Sequence, residues 1–256
     1  MLVRILLIIS SIYLVLISGC GSSKDIKLLS AEERFEIAKT LFEKKDYLEA
    51  IQEFEAIKIQ FPASSVADDA QFYLGECHFN KEEYLLAALE YQQLIRTMPA
   101  SPLLPLAQYK TALSYYKLTP KASLDQRYTE RAIDEFQAFV EYYPQHELVP
   151  DAEQKIKELT NKLAKKIFDT AELYMILEYF KSATIYYTTV IEKYHDTEYA
   201  EAALLGRAKS FMNRKKYKEA KQDVEKFLEK YPTSKYTAEA QALIRSINNF
   251  INQSSI

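Results

Sequence analysis

The chain has 256 residues, 48% of them apolar and 27% charged, the proportions of a folded globular protein rather than a disordered one. Net charge is −3 with no long basic run, which sets nucleic acid aside as a partner. Its 4 glycines are too few for the turns of a β-rich protein of this length, so the expectation is all-α.

The N-terminus opens with Arg4 and an apolar run from Ile5 to Ile17. That run is shorter than the roughly 18–20 residues needed to cross a bilayer. A positive start, a short apolar stretch and the small residues Ser18 and Gly19 give residues 1–19 the layout of a cleaved signal peptide. The stretch from Ile17 to Cys20 resembles the bacterial lipobox. The resemblance implies that residues 1–19 are removed and that Cys20 becomes an acylated N-terminus, whose several chains make a stable membrane anchor. Gly21 rather than Asp follows, which points to the outer membrane. Residues 20–30 then read as a lipidated end and tether.

From Ser30 onward the chain repeats itself. Tyr47, Ala50, Phe54 and Pro62 recur as Tyr84, Ala87, Tyr91 and Pro99, each 37 residues on, and again as Tyr217, Ala220, Val224 and Pro232. Two less regular copies cover 131–144 and 179–195. Each copy reads as the second helix of a pair. A small residue in the first helix (Ala38, Gly75, Ala171, Ala208) precedes the marked Ala by 12 positions. Apolar residues at i, i+3, i+4 and i+7 make both helices amphipathic, and the Pro ends the pair. Ser30 and Glu33 form a capping box at the start of the array. Ser65, Ser101 and Ser234 are expected to cap later first helices, with Pro102 in a first turn.

Two interruptions stand out. In the third copy eight extra residues separate Ala112 from Ala132, and residues 118–130 are expected as a loop. Between the third and fourth copies, Pro144 to Ala171 holds 14 residues more than Pro62 to Gly75. That is close to four turns at about 3.6 residues each, so the insertion lengthens a helix without rotating its apolar face. Ala152, Ile156, Leu159, Leu163, Ile167, Ala171 and Tyr174 form one stripe, predicting a single helix over 151–177. A last helix over 235–251, apolar on Ala238, Ala242, Leu243, Ile247 and Phe250, is expected to cap the array.

Little in the chain asks for chemistry. With Cys20 acylated, Cys77 has no disulfide partner and is expected buried in an apolar helix. His78, His146 and His195 lack metal-ligand spacing, and there is no nucleophile motif, P-loop or dinucleotide fingerprint. No enzyme activity, cofactor or metal is expected.

The repeats resemble the tetratricopeptide repeat, stretched to 37 residues, over roughly 31–232. The fold expected is an α-solenoid of five such helix pairs with a C-terminal capping helix: repeats 1–3 in 31–144, and the long helix, repeats 4–5 and cap in 145–251. In that family two positions of each first helix, seven residues apart, face a binding groove. Here they hold Phe35 and Phe42, Phe72 and Phe79, and Tyr109 and Tyr116. These rings either line a partner-binding groove for a peptide carrying its own aromatics or pack between helices.

The whole pattern resembles the BamD family, lipoproteins of the β-barrel assembly machinery of Gram-negative outer membranes. It rests on the lipobox, the tether, the five repeats, the insert at 124–136 and the long helix at 161–183. The absence of Trp and the His195 in place of a repeat-ending Pro depart from the family pattern. The resemblance implies a scaffold on the periplasmic face that recognises unfolded outer-membrane β-barrel proteins through its first repeats. Its later repeats would dock a BamA-type insertase and, in some bacteria, other Bam lipoproteins. The alternative is a periplasmic scaffold for cell-wall synthesis or division, similar to CpoB-type proteins. Those share the repeat but usually carry a coiled coil and an ordinary signal peptide, where this chain has a lipobox and no heptads before Ser30.

Overall fold

A computed structural model describes residues 29–253; the expected signal peptide, Cys20 and most of the tether lie outside the described residues. Among the described residues there are eleven α-helices and no strand. Pair one is α1 (Ala31–Glu43) and α2 (Tyr47–Gln60), pair two α3 (Ala67–Asn80) and α4 (Tyr84–Thr97), and pair three α5 (Leu104–Lys117) and α6 (Arg127–Tyr142). The long helix α7 (Val149–Ile176) joins α8 (Phe180–Lys193) as pair four. Pair five is α9 (Tyr199–Asn213) with α10 (Tyr217–Lys230), and α11 (Thr237–Gln253) closes the array. Every helix packs on the next, and first helices of neighbouring pairs also touch, α7 with α9 and α9 with α11. This is the helical solenoid the repeats predict.

The small residues sit where paired helices meet: Ala38, Ala112, Ala171 and Ala208 are fully buried. At Gly75 the approach is closest, and a Cβ there would lie 2.4 Å from Tyr91 Cε1. Four pairs share one turn between their helices. Asp46 N–H donates to Leu41 O and Lys45 N–H to Phe42 O, the Schellman pattern. The same bonds recur 37 residues on from Glu83 and Glu82, and in pairs four and five. The pattern places Lys45, Glu82, Glu178 and Lys215 at φ of 66°, 63°, 61° and 59°. Between pairs, Phe61 (φ −134°, ψ 51°) and Tyr231 (φ −128°, ψ 58°) precede proline outside the helical region, which proline disfavours for the residue before it. Tyr194, before His195, has nearly the same backbone (φ −129°, ψ 37°), so the fourth copy makes the turn without proline.

Three expectations are corrected. The Ser30–Glu33 capping box forms, but Ser65 and Ser101 do not cap helices. Their hydroxyls donate to Glu32 (2.9 Å) and Asp68 (2.6 Å) at the start of the preceding first helix. The next helices start two or three residues later, at Ala67 and Leu104, with Pro105 rather than Pro102 in the first turn. Ser234 likewise accepts from Tyr236 N–H inside the turn. Second, the loop in pair three is shorter, 118–126, because residues 127–130 add a turn to α6. Gln126, 6% exposed, organises it: Nε2 donates to Lys121 O and Leu124 O at 2.9 Å, and Oε1 accepts from Thr129. Third, α11 buries Ala240 and Ile247 with Leu243, Ile244 and Ile251 packed beside them, while Ala238 and Ala242 are exposed. Both stripes of α11 are apolar, and the one with the larger side chains removes more area from water.

The two interruptions meet in space. Residues of the N-terminal half of α7 (Ala152, Ile156, Leu159) pack with Phe136 and Phe139 of α6. Residues of its C-terminal half (Ile167, Phe168, Ala171) pack with Ala183 and Tyr187 of α8. Pair four is thereby displaced along α7 by the 14-residue surplus, about 21 Å at 1.5 Å per residue. The loop of pair three reaches across: Thr119 Oγ1 accepts from Lys162 Nζ (2.8 Å) and Leu124 O from Lys166 Nζ (2.7 Å).

Candidate functional site: two docking surfaces

The six aromatics divide by position. Phe35, Phe72 and Tyr109, 7–8% exposed, are packed into the pairs. Phe35 lies 5.8 Å from Phe54 and Tyr73, Phe72 5.4 Å from Tyr91, and Tyr109 5.5 Å from Phe139 between ring centres. Phe42, Phe79 and Tyr116 remain half-buried on the first-helix face. Each meets the next first helix: Phe42 touches Tyr73, Phe79 carries Lys110 Nζ 5.0 Å above its ring, and Tyr116 carries Lys155 Nζ at 5.5 Å.

Carboxylates complete this face. Lys110 pairs with Glu76 at 2.7 Å and Lys155 with Asp151 at 2.7 Å. Tyr109 OH donates to Asp151, and Tyr116 OH to Glu158 at 2.8 Å. Burial, then the Glu158 hydrogen bond and charge, push the Tyr116 phenol up to about 12. Burial and Asp151 likewise raise that of Tyr109. The result is a strip of half-covered rings with lysine heads over two of them, which can offer aromatic stacking and a cation together. The lysine and carboxylate partners were not foreseen from the sequence: Lys110 and Glu76 meet only across neighbouring first helices, and the pair-three loop places Tyr109 and Tyr116 42 residues from Asp151 and Glu158, off the 37-residue spacing of the repeat.

A second surface was also missed. At the tip of pair four, Leu173, Ile176, Leu177, Tyr179 and Ile185 are 53%, 78%, 50%, 62% and 58% exposed. The other pairs are polar there. Glu43, Asn80, Lys117 and Asn213 stand where Ile176 does, and Asp46, Glu83 and Lys216 where Tyr179 does. In pairs two, three and five the residues equivalent to Leu173 (Cys77, Ser114 and Ser210) are buried, whereas Thr40 in pair one, where the described array begins, is exposed. Cys77 packs against pair one, and Ser210 bonds Thr184 and Phe180 O of α8. In pair four that cover is gone, because α6 packs against the far half of α7. Comparing repeats position by position in the sequence would have found Ile176, Leu177 and Tyr179.

Cys77 is fully buried and its thiol is pushed up to about 12 by that burial and by Glu76. Among the described residues no group of His, Cys, Asp or Glu could hold a metal ion, and no helix is long and apolar enough to cross a membrane.

Known proteins place this solenoid. The YfiO family, described as outer membrane lipoprotein, matches residues 29–215, and a tetratricopeptide repeat family matches 202–234. The chain is 28% identical over 235 residues to the outer membrane protein assembly factor BamD of Rickettsia prowazekii (strain Madrid E), covering 91% of this chain and 94% of that one. Solved structures similar to it include a tetratricopeptide repeat protein of Parabacteroides merdae (16% identity, 86% of this chain and 73% of that one, TM-score 0.38). Another is the TPR2AB domain of yeast Sti1 in complex with pHSP90 (16%, 88% and 93%, TM-score 0.41). These structural likenesses are loose, and no binding property passes from them to this chain. The chain belongs to the YfiO/BamD family of outer-membrane lipoproteins, lipid-anchored proteins of that membrane.

Proposed function

We propose that the protein is a scaffold of the outer-membrane β-barrel assembly machinery. Anchored through lipid on Cys20, it receives unfolded barrel proteins on the first-helix face of pairs one to three. It docks a BamA-type insertase through its second half. The work is binding and positioning, without bond chemistry.

The apolar tip of pair four carries this reading. Large apolar patches on a monomer mark interaction surfaces, and nothing in the packing of the solenoid requires Ile176 or Tyr179 to be apolar. The Rickettsia relative, named as an outer membrane protein assembly factor, supports the same reading. On the client side, Phe42, Phe79 and Tyr116 are the rings still within reach of a peptide. Phe35, Phe72 and Tyr109 act behind them as packing.

Affinity capture of the detergent-solubilised lipoprotein tests it. A BamA-type barrel is expected in the eluate, and Leu173→Asp with Ile176→Asp should cut its recovery by about tenfold or more while the circular dichroism stays unchanged. Division proteins in the eluate with no barrel would sink the reading. For the clients, Phe42→Ala with Phe79→Ala should weaken crosslinking to barrel-protein C-terminal peptides. For the anchor, Cys20→Ala should abolish acyl labelling.

A further inference from the structure

Exposed apolar side chains are unevenly spread over the second helices. Near their starts α2, α4 and α6 carry Leu48, Leu85, Leu86, Leu89 and Tyr128, α8 carries Ile185 beside the apolar tip of pair four, and α10 carries none; Ile59 and Tyr142 are exposed at the opposite ends of α2 and α6. The densest part is on α4, where Leu85, Leu86 and Leu89 are 44%, 47% and 51% exposed. Their equivalents on α2 are Leu48, Glu49 and Gln52, on α6 Glu130, Arg131 and Asp134, and on α10 Lys218, Glu219 and Gln222. The repeat therefore has no packing use for leucine at the second and third of these sites. Two further apolar groups stand alongside. Tyr128 shares a shallow notch with Leu85, Arg127 and Arg131, and Leu124, 56% exposed, projects from the loop just before it.

We infer that this patch rests on the surface of the phospholipid bilayer to which the chain is anchored. Three observations select a lipid surface over a peptide. Of the three leucines only Leu85 borders a recess, the shallow notch beside Tyr128, while Leu86 and Leu89 are open to solvent, and a peptide would need a continuous groove to lie in. The accompanying groups are those of a membrane interface: a tyrosine with one polar end, and two arginines at its rim. Arg127 is held only by an exposed pair with Asp125, at 85% and 68% side-chain exposure, and such pairs are worth little, so its guanidinium is available to a phosphate. Arg131, half-exposed, is held more firmly, by the largely buried Glu135 at 2.7 Å and over the Tyr115 ring, and adds a fixed positive charge at the rim.

The third observation is reach. From the expected acylation site, Cys20, to Ser30 the chain advances ten residues, and extended it spans at most about 35 Å. The 13 residues of α1 rise about 20 Å. The lipid on Cys20 can therefore lie beside the start of α4, at the far end of the first helices from Ser30. A patch contact combined with the acyl chains would fix the orientation of pairs one to three against the membrane.

The inference rests on the outer-membrane placement and not on the acyl group, and the test separates the two. Full-length mature chain carrying Cys20→Ala, which has no acyl group, is mixed with vesicles of phosphatidylethanolamine and phosphatidylglycerol and floated on a density gradient. It should float with the vesicles, and Leu85→Asp with Leu89→Asp should reduce the floated fraction at least about tenfold at matched lipid. Both side chains are exposed, so the variant keeps its fold, as circular dichroism will report. Equal flotation of the two chains, or flotation of neither, overturns the inference. So does a concentration-dependent dimer that the variant abolishes, since the patch would then lie between copies. Acyl labelling of the unsubstituted chain reads the anchor separately.

Discussion

A methyl group at position 75 would have nowhere to go. Its Cβ would lie 2.4, 2.6 and 2.8 Å from three ring atoms of Tyr91. That ring is itself fully buried, packed on Phe72, with its hydroxyl donating to Glu76. Gly→Ala inside a helix ordinarily stabilises by about 0.5–1 kcal/mol. Here overpacking should win, and Gly75→Ala should destabilise by about 1–3 kcal/mol, seen as a lower midpoint in urea. An unchanged or raised midpoint would mean that the helices can part without cost. That a small residue was needed at position 75 was legible from the repeat, since Ala38, Ala112, Ala171 and Ala208 hold the same place. The six aromatics were legible too, but only as a spacing of seven. Which ring of each couple is covered depends on partners from neighbouring helices, Tyr73, Lys110, Lys155 and Glu158, and nothing in the spacing of seven names them.

At the level of elements, the turns and the pair-three loop behave differently. Lys45, Glu82, Glu178 and Lys215 hold the left-handed conformation, which costs an L-residue about 1–2 kcal/mol. Glycine escapes that cost but loses about 0.5–1 kcal/mol more on ordering. Lys45→Gly and Lys215→Gly should each stabilise by up to about 1 kcal/mol. Being in distant pairs, they should add; denaturation midpoints of the single and double variants check both points. The loop 118–126 hangs on one side chain. Gln126→Ala removes the donor for Lys121 O and Leu124 O at a cost of about 1–3 kcal/mol for buried polar groups left unpaired. Trypsin should then cut at Lys121 markedly faster than in the parent, and equal digestion rates would show that the loop holds itself. The existence of this loop was legible from eight surplus residues. Its length was not, because helix ends are set by hydrogen bonds such as that of Gln126, which composition does not reveal. The serines misled for the same reason: their hydroxyls had a carboxylate partner 33 residues back, Glu32 or Asp68, as well as a helix to cap.

For the whole molecule the decisive quantity is the 14-residue surplus in α7. Arrays of this kind are close to one-dimensional, each unit held by its neighbours, so a change of phase at one helix moves everything after it. Because the surplus is nearly four turns, the apolar stripe of α7 serves both α6 and α8. Because it is about 21 Å long, it withdraws α6 from the flank of pair four and leaves Leu173 uncovered. Deleting residues 153–166 removes the surplus and joins Ala152 to Ile167, in the register that Ala70 and Gln71 have in pair two. The shortened chain should fold as a regular array, with helical content reduced only by the deleted residues and a single cooperative transition. It should bury the Leu173 flank under α6, lose the Lys162 and Lys166 bonds to the loop, and fail to capture a BamA-type barrel. Deleting only residues 153–164 rotates the following helix by about 120°, at about 100° per residue, and turns the stripe away from α8. That chain should lose cooperative unfolding altogether. If the 14-residue deletion still captured the barrel as well as the parent, neither the spacing of the two halves nor the uncovered flank of pair four would be what the insertase reads.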